Sequence, residues 1–341
     1  MACYRSEWKC WKRVVLFSLI VTLVIQIVIL SSITVFRDTL NISRHGPTAH
    51  QIDVKEKDEL PSFGNKLGQT GRSIEAILQL RKQHVEEQCL KVKNEELIFN
   101  VSALDHIYVD TKNKFIYCYV PKVASTQWRD ILLANFMGID ANYIRKKRID
   151  WKYWYNSKKL KQLKLFPKYE IIKMLNSFFK FMMVRNPMER VLSVWNDKFM
   201  DSKNKFYRQR LGRDIVKLFR KNATSSEIER GFIRFDEFIK YIAMSKDPLD
   251  RDEHWSRYYD LCRPCDLYYD VIGTYETLNI DSDYILERIG ILDKFRFPVI
   301  PSKAQSVLNQ YTATLELQDQ QKFYQIFKTD YDMFNYSMSF K

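Results

Sequence analysis

The chain of 341 residues is long enough for one large domain or two small ones, and 46% hydrophobic content with many aromatics excludes a disordered chain. Nine glycines and nine prolines exclude a collagen-like or low-complexity composition, and no repeat recurs at solenoid periods. The formal net charge of +14 speaks of partners rather than fold: a polyanionic substrate, nucleic acid or an anionic membrane face.

Residues 14–35 are a run of Val, Leu, Ile, Phe, Ser and Thr interrupted only by Gln26, long enough as a helix to cross about 30 Å of hydrocarbon. A cleaved signal peptide would have a shorter apolar core and a small-residue cleavage site. A buried core helix is the competing reading, and the length of the run weighs against it. Arg5, Lys9, Lys12 and Arg13 precede the run, whereas Arg37 and Asp38 cancel after it. This asymmetry predicts a type II single-pass membrane protein with a cytosolic tail over 1–13, a transmembrane signal-anchor over 14–35 and the remainder lumenal. Residues 36–87 are polar and mixed in charge and read as a stem, with helical spacing in Ile74, Ile77, Leu78 and Val85 predicting a helix from Ser73 to Glu87. A globular domain follows over 88–341. Sequons at Asn41, Asn100, Asn222 and Asn335 all fall on the lumenal side. Anchor, stem and lumenal domain in that order resemble the build of Golgi-resident glycan-modifying enzymes.

Cys3 and Cys10 flank the anchor on its cytosolic side, where acylation is open to them. Cys89, Cys118, Cys262 and Cys265 make an even number in an oxidising lumen, with three possible connectivities. Cys262-Arg-Pro-Cys265 lacks the second pair or the nearby histidines of a zinc site, so structural disulfides are the expectation.

Phe115 to Val120 is an apolar, β-branched and aromatic run that predicts a buried strand. It breaks at Pro121, and Trp128, Ile131 and Leu132 then recur at helical spacing, with Ser125 or Thr126 as the expected N-cap. A strand, a tight turn carrying Lys122 and a helix start make an anion site, because unpaired N–H groups and the positive dipole end meet the ligand there. Phe178 to Val184 repeats the device, ending at Arg185-Asn186-Pro187 before a helical pattern through Val191, Leu192, Trp195 and Phe199. Arg185 offers a rigid fork for a phosphate and Ser193 a hydroxyl one turn further on. The plainer reading is that Arg185 only pairs a carboxylate and Ser193 is a core hydroxyl.

Together, Pro121-Lys-Val-Ala-Ser-Thr126 and Val184-Arg-Asn-Pro-Met-Glu-Arg-Val-Leu-Ser193 resemble the paired donor-binding signatures of the Golgi carbohydrate sulfotransferases. Asp252-Glu-His-Trp255, Leu261-Cys-Arg-Pro-Cys265 and Gly273-Thr-Tyr-Glu-Thr-Leu278 are similar to a third run of the same branch, which holds the chondroitin and dermatan 4-O-sulfotransferases, the N-acetylgalactosamine 4-O-sulfotransferases and the glucuronyl 3-O-sulfotransferase. The resemblance implies an α/β fold, a P-loop-like parallel sheet flanked by helices. It also implies transfer of a sulfuryl group from 3′-phosphoadenosine 5′-phosphosulfate to a sugar hydroxyl, without a metal. The acceptor it implies is position 4 of N-acetylgalactosamine in chondroitin or dermatan. Pro121, Lys122, Val123, Ala124, Ser125, Thr126 and Gln127 would cradle the 5′-phosphosulfate, with Lys122 neutralising charge on the bridging oxygen. The segment Arg185, Asn186, Pro187, Met188, Glu189, Arg190, Val191, Leu192 and Ser193 would grip the 3′-phosphate through Arg185 and Ser193. One departure is Asn186, where the family usually has Asp.

The acceptor hydroxyl needs a general base, and of the five histidines His254 lies in the family-like Glu-His-Trp stretch. A partly buried structural histidine beside Trp255 is the competing reading; Asp252 and Glu253 are the fallback bases. Residues 145–168 carry ten Lys/Arg against Asp150 alone, interleaved with Trp151, Tyr153, Trp154 and Tyr155. Basic and aromatic residues together suit an anionic glycan, and lumenal topology removes nucleic acid. Residues 198–221 form a second basic run, which a solvated helical face would also explain. A nucleotide kinase is excluded by the missing Gly-x-x-x-x-Gly-Lys-Ser/Thr loop. A membrane-anchored, non-enzymatic glycosaminoglycan-binding protein would explain the charge but not two strand-to-helix anion sites. Sulfation of another sugar, such as glucuronic acid, remains the enzymatic alternative.

Overall fold

The computed structural model describes residues 73–92, 104–140, 160–201, 205–244, 251–298, 304–338 and 340. Among them no helix is long and apolar enough to cross a membrane. Residues 14–35, the 1–13 tail and the basic stretch 145–159 lie outside the described residues.

A five-stranded sheet in the order β3-β1-β2-β4-β5 organises the domain. Its strands are β1 (Ile107–Asp110), β2 (Phe115–Cys118), β3 (Lys161–Gln162), β4 (Phe179–Val184) and β5 (Val271–Thr274). Strands β2, β4 and β5 run parallel, with Tyr117 opposite Phe181 and Met182 opposite Ile272. The expectation of a parallel sheet holds for these three only, because β1 pairs antiparallel with both β2 and β3. The reversal follows from a tight turn: the Asp110 carboxylate accepts the N–H groups of Lys112 at 2.8 Å and Asn113 at 2.9 Å, and Lys114 takes a positive φ of 54°. The central strands are covered on both faces, so they read as continuous apolar runs rather than alternating ones.

Helices α1 (Ile74–Lys91), α2 (Ser125–Met137), α3 (Lys168–Ser177), α4 (Pro187–Trp195) and α10 (Leu278–Arg288) belong with the sheet layer and its flanks. A helical layer adds α5, built continuously from Lys205–Tyr207, a π-turn at Arg208–Gly212 and Arg213–Phe219. It continues with α6 (Ser225–Arg230), α7 (Phe235–Met244), α11 (Ala304–Thr312) and α12 (Leu317–Met333), while α8 (Tyr258–Cys262) and α9 (Pro264–Leu267) lead into β5. Two apolar clusters result: one around the sheet, with Phe115, Trp128, Phe181 and Ile272, and one among helices, with Trp195, Phe199, Phe238 and Phe323.

The stretch expected as stem contributes α1 to the packed domain. Leu78 and Val85 are buried, and the buried Arg81 guanidinium meets Asp281 at 2.7 Å and Thr277 at 3.2 Å. Removing one member of such a buried pair costs about 3–5 kcal/mol, so the packed domain begins before the boundary expected at 88. Two disulfides select one of the three connectivities, Cys89–Cys265 and Cys118–Cys262. The C-x-x-C cysteines are therefore joined to α1 and to β2 rather than to each other.

Candidate active site

Both strand-to-helix junctions lie at the carboxyl ends of neighbouring parallel strands, the edge at which open α/β sheets bind ligands. At the first, β2 leads through Tyr119 and Val120 into Pro121–Ala124 and then α2. Lys122 and Ala124 both have positive φ, 72° and 63°, while Val123 between them does not. Such an alternation turns successive N–H groups towards one side, the geometry of an anion-binding concavity. Neither is glycine, so each costs roughly 1–2 kcal/mol of backbone strain. The expected cap is not there: Ala124 occupies the N-cap position, with no side-chain cap hydrogen bond. Ser125 lies inside the helix and is buried, its hydroxyl turned to Tyr119. The first-turn N–H groups of Ser125, Thr126 and Gln127 thus have no intrahelical acceptor, and the side chains of Thr126 and Gln127 are half-buried at the opening.

The Lys122 ammonium reaches Asp197 at 3.2 Å, and Lys198 reaches the same carboxylate oxygen at 3.3 Å. Burial lowers the Lys122 ammonium from its ordinary value; Asp197 works the other way, and Lys198 and Arg185 add to the lowering. Burial works against ionisation of Asp197, but Lys122 and Lys198 outweigh it and hold its carboxyl below the ordinary value. Asp197 and Lys198 stand on a π-turn, Asn196–Met200, that extends α4. This π-turn re-aims the residues after Trp195 towards Lys122.

At the second junction the polar groups are largely satisfied from within. Asn186 caps α4, accepting from the N–H groups of Met188 at 3.0 Å and Glu189 at 3.4 Å, so the Asp-to-Asn departure keeps a cap. Arg185 is buried, pairs with Glu189 at 3.1 Å and lies over the Tyr275 ring at 4.1 Å. Arg190 is fully buried and donates to three carbonyls: Pro121 at 3.1 Å, Ser256 at 2.6 Å and Glu253 at 2.9 Å. It therefore staples the Lys122 turn to the segment that carries His254. Pro187 opens the helix, and Met188, Val191 and Leu192 are core residues. Ser193 is half-buried. Of the nine residues expected to grip a phosphate, Arg185 is buried on Glu189, Ser193 is half-buried, and Pro187, Met188, Val191 and Leu192 hold the helix.

His254 is the most completely dressed of the candidate bases. Its Nδ1 lies 2.6 Å from Asp252 Oδ1, and the Tyr207 hydroxyl donates to Asp252 Oδ2 at 2.9 Å while lying 3.2 Å from the same Nδ1. An ionised carboxylate only accepts, so Nδ1 carries the proton and the lone pair resides on Nε2. Burial works against ionisation of Asp252, but the His254 side chain and N–H together with Tyr207 hold its carboxyl below the ordinary value. Trp255 is buried against Phe238, and His254 beside it is half-buried. Glu253 faces His106 at 3.5 Å, and His106 Nδ1 donates to the Tyr119 carbonyl at 3.0 Å.

A continuous chain of contacts joins the two halves: Lys122 to Asp197, Asp197 to Lys198, Lys198 over the Tyr207 ring at 5.3 Å, and Tyr207 to His254 and Asp252. Sequence reasoning missed Asp197, Lys198 and Tyr207. Lys198 and Tyr207 fall in the basic run 198–221, which says nothing about which side chain turns inward, and Asp197 lies just outside it.

A sulfotransferase family model matches residues 105–337. Carbohydrate sulfotransferase 11 of Mus musculus is 32% identical over 275 residues, 77% of each chain. Carbohydrate sulfotransferase 9 of Homo sapiens is 32% identical over 79% of this chain and 62% of its own. Carbohydrate sulfotransferase 14 of Danio rerio is 39% identical over 58% of this chain and 52% of its own. No solved structure matches the chain. An uncapped helix start behind a lysine, beside a carboxylate-oriented histidine, has the donor chemistry for an anionic group and the base for a hydroxyl. On these matches the chain belongs to the sulfotransferase family and is a transferase whose sulfate donor is 3′-phosphoadenosine 5′-phosphosulfate.

Proposed function

We propose that this sulfotransferase modifies a glycan, transferring the sulfuryl group to position 4 of N-acetylgalactosamine in chondroitin or dermatan. The observation that carries a glycan hydroxyl as acceptor is the placement of His254 Nε2, aimed by Asp252 and Tyr207 and linked through Lys198 and Asp197 to Lys122. Likeness to carbohydrate sulfotransferases 11, 9 and 14 supports the carbohydrate class. The three ordered sequence motifs support the branch that holds the 4-O-sulfotransferases.

The donor, when bound, supplies an activated sulfuryl group on a phosphate leaving group. The residues present fit it: the alternating turn at 122–124 and the open first turn of α2 suit the phosphosulfate, and Arg185 with Ser193 suits the 3′-phosphate. Lys122 leaves Asp197 to neutralise charge growing on the leaving oxygen, a donor aimed where charge develops. His254 takes the acceptor hydroxyl proton on Nε2, and Asp252 stabilises the imidazolium that results. Arg190 keeps the Lys122 turn and the Glu253–Ser256 backbone at fixed separation, so both groups meet the same reacting centre.

The protein acts from a Golgi membrane, held by the 14–35 anchor with its catalytic domain in the lumen. The pairing of Cys89, Cys118, Cys262 and Cys265 in two disulfides suits that oxidising side. The test is transfer of radiolabelled sulfate from the donor to a panel of chondroitin, dermatan and N-acetylgalactosamine acceptors, with disaccharide analysis. Label at position 4 of N-acetylgalactosamine is expected; label on glucuronate instead would replace the acceptor assignment, and no label on any acceptor would sink the reading.

A further inference from the structure

The basic run 198–221 does not behave as one solvated face. Arg208 is buried and lies over the Phe232 ring at 4.1 Å, Arg213 donates to the Glu229 carbonyl at 3.1 Å, and Arg220 is spent on Glu237, Glu227 and the Phe232 carbonyl. Arg210 differs. It is exposed, has no carboxylate within ion-pair reach among the described residues, and its guanidinium lies over the Phe206 ring at 5.7 Å. Phe206 is 58% exposed, a large apolar ring left in solvent. It stands edge-on to Tyr207 at 5.3 Å between centroids, and Tyr207 is the residue that holds His254 and Asp252.

The backbone fixes this placement. The π-turn Arg208–Gly212 follows Tyr207 directly, and such turns re-aim side chains where a regular helix would not. Gly212 and Gly231 pack backbone to backbone: a Cβ on Gly212 would lie 2.2 Å from the Gly231 carbonyl oxygen, and one on Gly231 would lie 2.4 Å from that of Arg208. The segment carrying Phe206, Tyr207 and Arg210 is therefore anchored at its far end, and its apolar ring, with the cation over it, packs on Tyr207, which touches the candidate base.

We propose that Phe206 and Arg210 form an acceptor subsite that takes the hexuronate unit flanking the sugar to be sulfated. The inference rests on the glycan reading above and names which part of the acceptor is gripped, and by what. The C–H face of a pyranose is apolar and packs on an exposed aromatic ring, while a uronate carboxylate pairs with a guanidinium. A neutral sugar would use the ring alone, and the unspent charge of Arg210 selects the anionic one.

The test compares the full-length, detergent-solubilised wild type with Arg210→Gln, Phe206→Ala and, as a charge control on the same run, the exposed Lys217→Gln. Acceptors are chondroitin and carboxyl-reduced chondroitin, and affinity for adenosine 3′,5′-bisphosphate reports the donor site and the fold. Arg210→Gln is expected to raise KM for chondroitin roughly fivefold, the scale of an exposed ion pair, with kcat and nucleotide affinity unchanged. It should leave carboxyl-reduced chondroitin unaffected. Phe206→Ala should raise KM for both acceptors by a similar factor, from the lost apolar contact. Equal effects of Arg210→Gln on the two acceptors, no effect at all, or an equal effect of Lys217→Gln would overturn the subsite. Binding of the same proteins to immobilised chondroitin without donor is measured in parallel. Were the wild type to transfer no sulfate to chondroitin, the glycan reading would fail on that result, and the subsite would be judged on whether Arg210→Gln weakens this binding alone.

Discussion

The two strand-to-helix junctions are built from the same sequence device and end in opposite states. At Lys122 the turn is strained, the helix start has no side-chain cap and the cation is held by Asp197. At Arg185 the cap is supplied by Asn186, the cation is buried against Glu189 and Tyr275, and Arg190 behind it is consumed by three carbonyls. A basic residue at the edge of a parallel strand becomes a ligand site according to what is left unsatisfied around it. The first junction keeps donors open for chemistry, while the second spends most of its donors on holding the first in place.

That contrast is sharpest in the pair Lys122→Ala and Arg190→Ala. Lys122→Ala is expected to lower kcat by roughly 10²–10³-fold, the scale of a lost transition-state donor, with the melting temperature unchanged. Arg190→Ala strands three carbonyls in the interior and should cost about 3 kcal/mol or more of stability, read by denaturant unfolding. An Arg190 variant of normal stability with lost transfer would reverse the assignment of scaffold and site. For the base, His254→Ala should lower kcat by roughly 10²-fold or more with nucleotide affinity kept. Asp252→Asn should cause a smaller loss and shift the pH profile, because the imidazolium loses its anionic partner; an unmoved profile would count against the dyad. Asn186→Ala removes only a cap and should cost about 1 kcal/mol, with little change in nucleotide affinity.

The smallest effect concerns the support under Arg185. The Tyr258 hydroxyl bonds the Arg185 backbone, and the N–H groups of Tyr258 and Tyr259 bond the buried Asp330. Burial pushes the Asp330 carboxyl up to about 7, against the pull of those two N–H groups. A folded-state value above the ordinary 3.8 means the folded chain holds this proton more tightly than the unfolded one. Its contribution to stability is complete below about pH 4 and is lost as pH rises through about 7. Asp330→Asn should therefore make the melting temperature fall less steeply across that window, and equal slopes for variant and wild type would refute the shift.

Much of this was readable before any coordinates. The central strands announced themselves because burial on both faces leaves β2 and β4 continuously apolar, and the helices after them follow from apolar spacing. The edge strands were not legible: β1 is only four residues long, β3 only two, and their direction depends on the Asp110 turn. Ser125 looked like a cap because cap propensity is local, whereas the positive φ at Ala124 moves the helix start by one residue. Asp197 and Tyr207 could not be found, since their meeting at Lys198 depends on two π-turns that no periodicity encodes. Arg185 illustrates the converse: the carboxylate partner of its plainer reading is Glu189, one helical turn on and visible in the sequence.

The two disulfides have a consequence for the covalent topology of the site. Cys118–Cys262 closes a ring with a sequence separation of 144, and Cys89–Cys265 closes a second ring around it with a separation of 176. The inner ring alone removes roughly 5 kcal/mol of unfolded-chain entropy in the chain-entropy model, and the outer adds less because its ends are already nearly joined. Lys122 and His254 both lie inside the inner ring, close to its two ends. A single backbone cut anywhere between them divides the donor lysine from the histidine along the chain, yet leaves both fragments covalently one molecule.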